Sequence, residues 1–245
     1  VSIFLAIPLS YMPAAAGIAV TVERTCRAKH IQYLSGTPVA LYWFSNLLAD
    51  FAAFMCAALL TLGLFVVRDE SAFVGGMEQA TATTVLLLCF GASMVPVMHL
   101  LSLRFDSAAS AQIGLIVFNI LSGFLLNLIH LVSDSLDSLR DLDTVLLPAY
   151  RLLPPFALSE ALNALATHWI TCHGLGALSS GDCPSPLSWN VAGSSIARMP
   201  LAALLCCILL VLHDQPTLTR AMLRRLGVLG SIILRWLDGT DGAAI

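Results

Sequence analysis

Charge is the scarce commodity in this chain. Only 11% of its 245 residues are charged, 12 basic and 15 acidic, and just one of the basic residues is a lysine, Lys29. A soluble globular domain carries about 25%. The apolar share is 58% and the mean hydropathy +0.87. The net charge of -3 says little about partners in a chain that mostly sees lipid, and no basic stripe with interleaved aromatics suggests a nucleic-acid reader. No CxxC pair occurs among the seven cysteines, so a zinc knuckle or thioredoxin-like centre has no support. There is no HExxH and no GxxxxGK[ST], hence neither metalloprotease ligands nor a loop to cradle ATP phosphates. A rhomboid-type serine site fails as well. Ser122–Gly123 lacks the preceding glycine, and His130, two turns on, is a poor base for it. No catalytic residue, metal or cofactor is therefore assigned to the chain itself.

Long apolar runs fill the space that charge vacates. A helix needs about 20 mostly apolar residues to cross the hydrocarbon core. Five stretches meet or approach this: Val1–Val20 with Pro8 and Pro13, Val39–Val67, Thr83–Leu103 with Pro96, Gln112–Val132, and about Val191–Leu212. The runs are continuous rather than alternating, which selects helices over a barrel. The expectation is an all-α, polytopic, integral membrane protein of the plasma membrane or an endomembrane. Its transmembrane domain spans residues 1–212, followed by a cytosolic tail at 213–245. Val1 opens inside an apolar run, which reads as a piece of a longer polypeptide; the rival is a signal-peptide core before PAAAG.

Orientation comes from Glu23–Gly36, ERTCRAKHIQYLSG, a cationic segment between the first two spans. Placed in the cytosol, it puts Arg24, Arg27, Lys29, Arg104, Arg220, Arg224, Arg225 and Arg235 inside. Only Arg68, Arg140, Arg151 and Arg198 then fall outside. That is the direction of the positive-inside bias. Between the fourth and fifth spans, Thr144–Trp169 holds two apolar helices broken by Pro148, Pro154 and Pro155, each too short to cross. A re-entrant hairpin dipping in from outside is expected, with an interfacial helix pair as the alternative. His168–Ser188 reads as a polar surface loop, His168 and His173 among it. Within that external stretch Cys172 and Cys183 are placed to form a disulfide; the other cysteines read as small apolar residues. In the tail, Leu218, Met222, Leu226, Leu229 and Ile233 recur at helical spacing, as in an amphipathic helix on the inner leaflet.

Polar residues inside the spans are functional candidates. They are Asn46 and Asp50, four apart on one face, with His99, Asn119 and Asn127. No second ionisable group is expected at the depth of Asp50, which favours helix–helix packing over a transport path.

The wording of several segments is specific. Ala28, Lys29, His30, Gln32, Ser35 and Gly36 are followed by Tyr42, Trp43, Asn46 and Asp50, then by FNILSG at Phe118–Gly123 and SPLSWN at Ser185–Asn190. In this order they resemble the A subfamily of ABC transporters, in the second transmembrane half. The resemblance implies a membrane half-transporter that moves lipids or sterols. Its drive would be ATP hydrolysis, with Mg, in nucleotide-binding domains outside this chain. Those domains, the other transmembrane half and membrane lipids would be its partners. The resemblance also implies that Glu23, Arg24, Arg27, Lys29, His30 and Gln32 receive force from a nucleotide-binding domain, and that the tail links toward one. The alternative function is a truncated, non-transporting membrane scaffold.

Replacing Arg24, Arg27 and Lys29 together with Glu is expected to disturb insertion or to uncouple ATP use from transport in the full transporter. Cysteine-accessibility mapping beside a transport assay checks this; wild-type topology with wild-type transport refutes it.

Overall fold

The computed structural model describes residues 2–175 and 183–215. Among them there are helices and connecting turns and no strand. The helices are α1 (Ser2–Thr25), α2 (Ala28–Leu34), α3 (Val39–Val67), α4 (Ser71–Val74), α5 (Met77–Ser102), α6 (Ala108–Asn119), α7 (Leu126–Ser135), α8 (Asp137–Tyr150), α9 (Pro154–Ile170) and α10 (Ser194–His213). A π-helical turn, Ile120–Leu125, fuses α6 and α7 into one rod. Four of the rods are long and apolar enough to cross a membrane: α3, α5, α6–α7 to Ser133, and Trp189–His213. The protein is a multi-pass helical membrane protein. Residues 216–245 of the tail, with the expected amphipathic helix, lie outside the described residues.

Helix α5 is the axis of the bundle. In its most apolar stretch 61% of residues are buried, against 17% in α3 and 28% in each of the other two rods. Its neighbours approach closely where side chains are small: Gly91 meets the ring of Phe54 and Gly17 meets the Met98 carbonyl. Phe90, Met94, Leu86 and Met98 are fully enclosed. Leu60, Leu64 and Val67 of α3 point outward instead, as a lipid-facing surface does. Pro96 lies within an unbroken α5.

The hairpin enters the bundle itself. Helix α8 follows α7, and α9 then turns back, with Phe156, Leu158, Leu162 and Leu165 buried completely. At the tip, Pro155 touches Gly123, midway along the α6–α7 rod. At the other end of α9 the Leu165 carbonyl accepts from Gln79, near the start of α5. The hairpin thus reaches mid-depth and returns to the end it came from. The break is at Arg151–Leu153 and not at Pro148, which stays inside α8. Pro154 and Pro155 occupy the first helical positions of α9, where a missing N–H costs nothing. Leu153 before them is extended, the conformation that a following proline favours.

Two further expectations are corrected. Helix α1 continues past Val20 to Thr25, so Glu23 and Arg24 lie on its last turn. Beyond it, the left-handed backbone of Arg27 (φ 60°) separates α1 from α2. His168 belongs to α9 and His173 to a π turn, Thr171–Leu175, where its ring stacks on Trp169 at 3.7 Å. They are not loop residues, because α9 runs on to Ile170 and the π turn extends it to Leu175.

A Cβ on Gly123 would stand 3.1 Å from the Pro155 Cβ. Gly123→Val is therefore expected to push the hairpin tip away and to cost about 1–3 kcal/mol. A lowered unfolding midpoint in detergent checks this; an unchanged midpoint shows that the tip does not pack here.

Candidate coupling site at the end of the bundle

One carboxylate organises the end of the bundle where α1, α2, α3 and α10 meet. Asp214 caps α10, and its Oδ2 sits 2.6 Å from the Lys29 Nζ of α2. The same oxygen accepts from the Tyr33 hydroxyl and from the Trp43 indole N–H, each at 2.8 Å. His213 approaches Oδ1 at 3.2 Å. The Lys29 ammonium also stands 4.5 Å from the Trp43 ring centroid and 5.2 Å from that of Tyr42, so aromatic faces replace its water. Tyr42 in turn donates to Glu23 at 2.8 Å, which ties the end of α1 to α3. The guanidinium of Arg24 donates to the carbonyl oxygens of Leu103 and Phe105 beyond the end of α5.

The charges at this junction are shifted by its geometry. Burial by itself would raise the Asp214 carboxyl. The hydrogen bond from His213, the charge and hydrogen bond of Lys29 and the Tyr33 hydroxyl outweigh that and hold it at about 2. Burial lowers Lys29 from its ordinary value, and Asp214 opposes the change. Tyr33 is pushed far up, first by burial and then by Asp214, and stays a donor. The result is a carboxylate with three donors on one oxygen, in a setting where removing one partner strands the other charge.

The six residues assigned to coupling divide sharply. Glu23, Arg24 and Lys29 face the junction. Arg27 forms the exposed kink, and His30 and Gln32 lie on the exposed side of α2 beside Ile31 and Leu34, which are 64% and 74% exposed. Asp214 itself escaped sequence reasoning. The available signal was a lone lysine needing a counter-ion and the first acid past the last apolar run. Arg27, Arg24, His30 and His213 line a cavity of about 430 Å³ with the junction as its floor.

The intramembrane polar residues meet partly. Asp50 Oδ2 lies 2.7 Å from Nε2 of the fully buried His99, so a second ionisable group does share its depth, contrary to expectation. The sequence separates them by 49 positions, and only the packing of α3 on α5 joins them. The His99 ring also lies 5.8 Å from Trp43, which links this pair to the junction. Asn46 stands one turn before Asp50 on α3. Asn119 and Asn127 flank the π turn of the α6–α7 rod and are buried there. Cys172 and Cys183 are bridged, with Cα atoms 6.0 Å apart. Of the remaining cysteines, Cys26 and Cys56 are exposed rather than packed.

A helical bundle with an inserted hairpin, and a short helix clamped to the last span at the opposite end, has the build of a transporter membrane domain. The chain belongs to the ABC-2 transporters: the family described as "ABC-2 family transporter protein" matches residues 1–213. The chain is 29% identical to ATP-binding cassette sub-family A member 7 of Mus musculus over 238 residues, covering 94% of this chain and 11% of that protein. It is 33% identical to Phospholipid-transporting ATPase ABCA3 of Mus musculus over 168 residues, 66% of this chain and 10% of the relative. With Retinal-specific phospholipid-transporting ATPase ABCA4 of Bos taurus the identity is 26%, over 86% of this chain and 9% of the relative. The chain thus spans about a tenth of the length of the curated relatives it matches.

Asp214→Asn keeps the shape and removes the charge, leaving Lys29 buried without a counter-ion. A loss of about 3–5 kcal/mol is expected. A depressed carboxyl stabilises the fold above its unfolded value and ceases to as pH falls through its folded value. Wild type should therefore lose stability between about pH 4 and about pH 2 through this group, and Asp214→Asn should lack that component. Unfolding midpoints measured in detergent across pH 2–7 check both; parallel curves for the two proteins contradict the assignment.

Proposed function

We propose that this chain is one membrane half of a lipid transporter, driven by ATP and Mg held in nucleotide-binding domains outside the chain, with α2 as the element those domains push. The observation that carries this reading is the two-sidedness of α2. Its inner face is fixed to α3 and α10 through Lys29 and Tyr33. Its outer face presents Ile31 and Leu34 to the surroundings, with His30 and Gln32 between them. An apolar ledge on the polar end of a membrane domain suits a protein partner. The cavity beside it supports the same partner. Arg24 spends its hydrogen bonds on neutral carbonyls, so its charge is not cancelled, and exposed Arg27 adds to it. A carboxylate from a docked domain fits there.

Closure of the nucleotide-binding domains would move α2, and the Lys29–Asp214 pair would carry that motion into α10 rather than let α2 slide. Trp43 would carry it into α3 and on to the His99–Asp50 pair. Coupling requires two states that nucleotide biases differently, and residues 213–245 are proposed as the link toward the following ATPase. Lipid as cargo is favoured by the relatives, two of whose names specify phospholipid transport, and by the lipid-facing surface of α3.

In the complete transporter reconstituted in vesicles, Ile31→Asp with Leu34→Asp should leave insertion and basal ATP hydrolysis in place and lower lipid movement at least about tenfold. Lipid movement at the wild-type rate would show that α2 is not the receiving surface.

A further inference from the structure

Helix α10 carries a charge that nothing in the bundle answers. Arg198 lies within the membrane-crossing rod Trp189–His213, nine residues from its start and so about 13 Å along it. Among the described residues no carboxylate pairs with its guanidinium and no group accepts a hydrogen bond from it. The acid that does reach α10, Glu160, is spent on the Ser195 hydroxyl at 2.8 Å and on the guanidinium of Arg151. A charge inside a membrane span is costly unless it is paired.

The guanidinium is held against the protein without being sealed in it. Nη1 is enclosed by the bundle, whereas Nε and Nη2 are not. A side chain that only snorkelled to water would leave all three nitrogens open. The open Nε–Nη2 edge carries two parallel N–H bonds, the fork that matches two oxygens of one anion. On the buried side of Arg198 lie Ser195, Met199 and Ala202. On its other side Leu201, Leu205 and Ile208 follow at three, seven and ten residues, all exposed, as one stripe of the helix. Helical side chains lean toward the N-terminus, so the guanidinium lies on the opposite side of its own Cα from this stripe. A cation nearer the bilayer surface thus heads an apolar track that runs toward the middle of the span. An amphiphile with an anionic head has the same plan.

We infer that Arg198 binds the phosphate of a phospholipid in the leaflet at this end of the bundle, with acyl chain lying along Leu201, Leu205 and Ile208. A phosphodiester carries one negative charge and two unesterified oxygens, so it answers both the charge and the fork of the guanidinium. With α2 at the cytosolic face, this leaflet is the outer one. The inference rests on the membrane reading and gives the proposed lipid movement a headgroup contact. Binding is read without nucleotide, so a transporter that failed to move lipid with ATP would leave it standing.

The test uses the complete transporter in detergent with one equivalent of a phosphatidylcholine bearing a photoreactive acyl chain, the crosslinks being mapped by mass spectrometry. Wild type should be labelled on the α10 peptide that holds residues 201–208. Unlabelled phosphatidylcholine and phosphatidic acid should displace the label. Diacylglycerol with the same chains and no phosphate should need at least about tenfold more, the difference expected for a charge-assisted contact. Arg198→Gln should lower labelling of that peptide at least about tenfold and remove the preference for phosphate. Arg198→Lys, which keeps the charge and loses the fork, should fall between the two. Arg198→Gln breaks no hydrogen bond within the bundle, so folding is not what the variant tests. Displacement by millimolar inorganic phosphate would overturn the lipid assignment. Equal displacement by diacylglycerol, or wild-type labelling of Arg198→Gln, would overturn the inference, the latter leaving an acidic side chain of the other transmembrane half as the partner of Arg198.

Discussion

The buried carboxylate of Asp214 is the constraint on which the rest of this end of the structure depends. Three donors from two helices converge on a single oxygen, and the lysine among them is the only one in the chain. Neither charge would be stable alone where it sits. Lys29 has given up most of its water for aromatic faces, and Asp214 lies at the end of an apolar helix. Each is held in its charged form by the other, so α2 cannot leave α10 without stranding both. That mutual dependence converts a seven-residue helix, far too short to be stable by itself, into a fixed part of the domain.

From this junction two routes lead into the bundle. Trp43 touches both Asp214 and the neighbourhood of His99, and His99 pairs with Asp50 inside the membrane-crossing region. Arg24 binds the chain just beyond α5, the most buried helix. A displacement of α2 thus meets α10, α3 and α5 together. At the other end the inserted hairpin fills the bundle with α9, whose tip rests against the π turn at Gly123. Cavities lie at both ends and a packed core lies between them.

Much of this architecture was legible in the sequence, and the boundary of what was legible is physical. Continuous apolar runs identify the long helices because lipid leaves the backbone no other choice. Pro154 and Pro155 announce the hairpin because proline both starts helices and ends the preceding one. Length and hydropathy could not say where the runs stop. Helix α1 goes on to Thr25 because Tyr42 and the carbonyls beyond α5 satisfy Glu23 and Arg24, contacts that exist only after packing. The pairing of Asp50 with His99 was invisible for the same reason, being set by how α3 lies on α5. Asp214 was hidden by its position in an unremarkable HDQP sequence after the last span. Only the need of Lys29 for a counter-ion marked it.

The most direct test of the account is whether α2 and the end of α10 move as one body. Spin labels at the exposed His30 and at His213 of the complete transporter report their separation by pulsed dipolar spectroscopy. The account predicts the same narrow distance distribution in the nucleotide-free state and in the ATP-trapped state. A separation that changes by several ångströms between those states would contradict it.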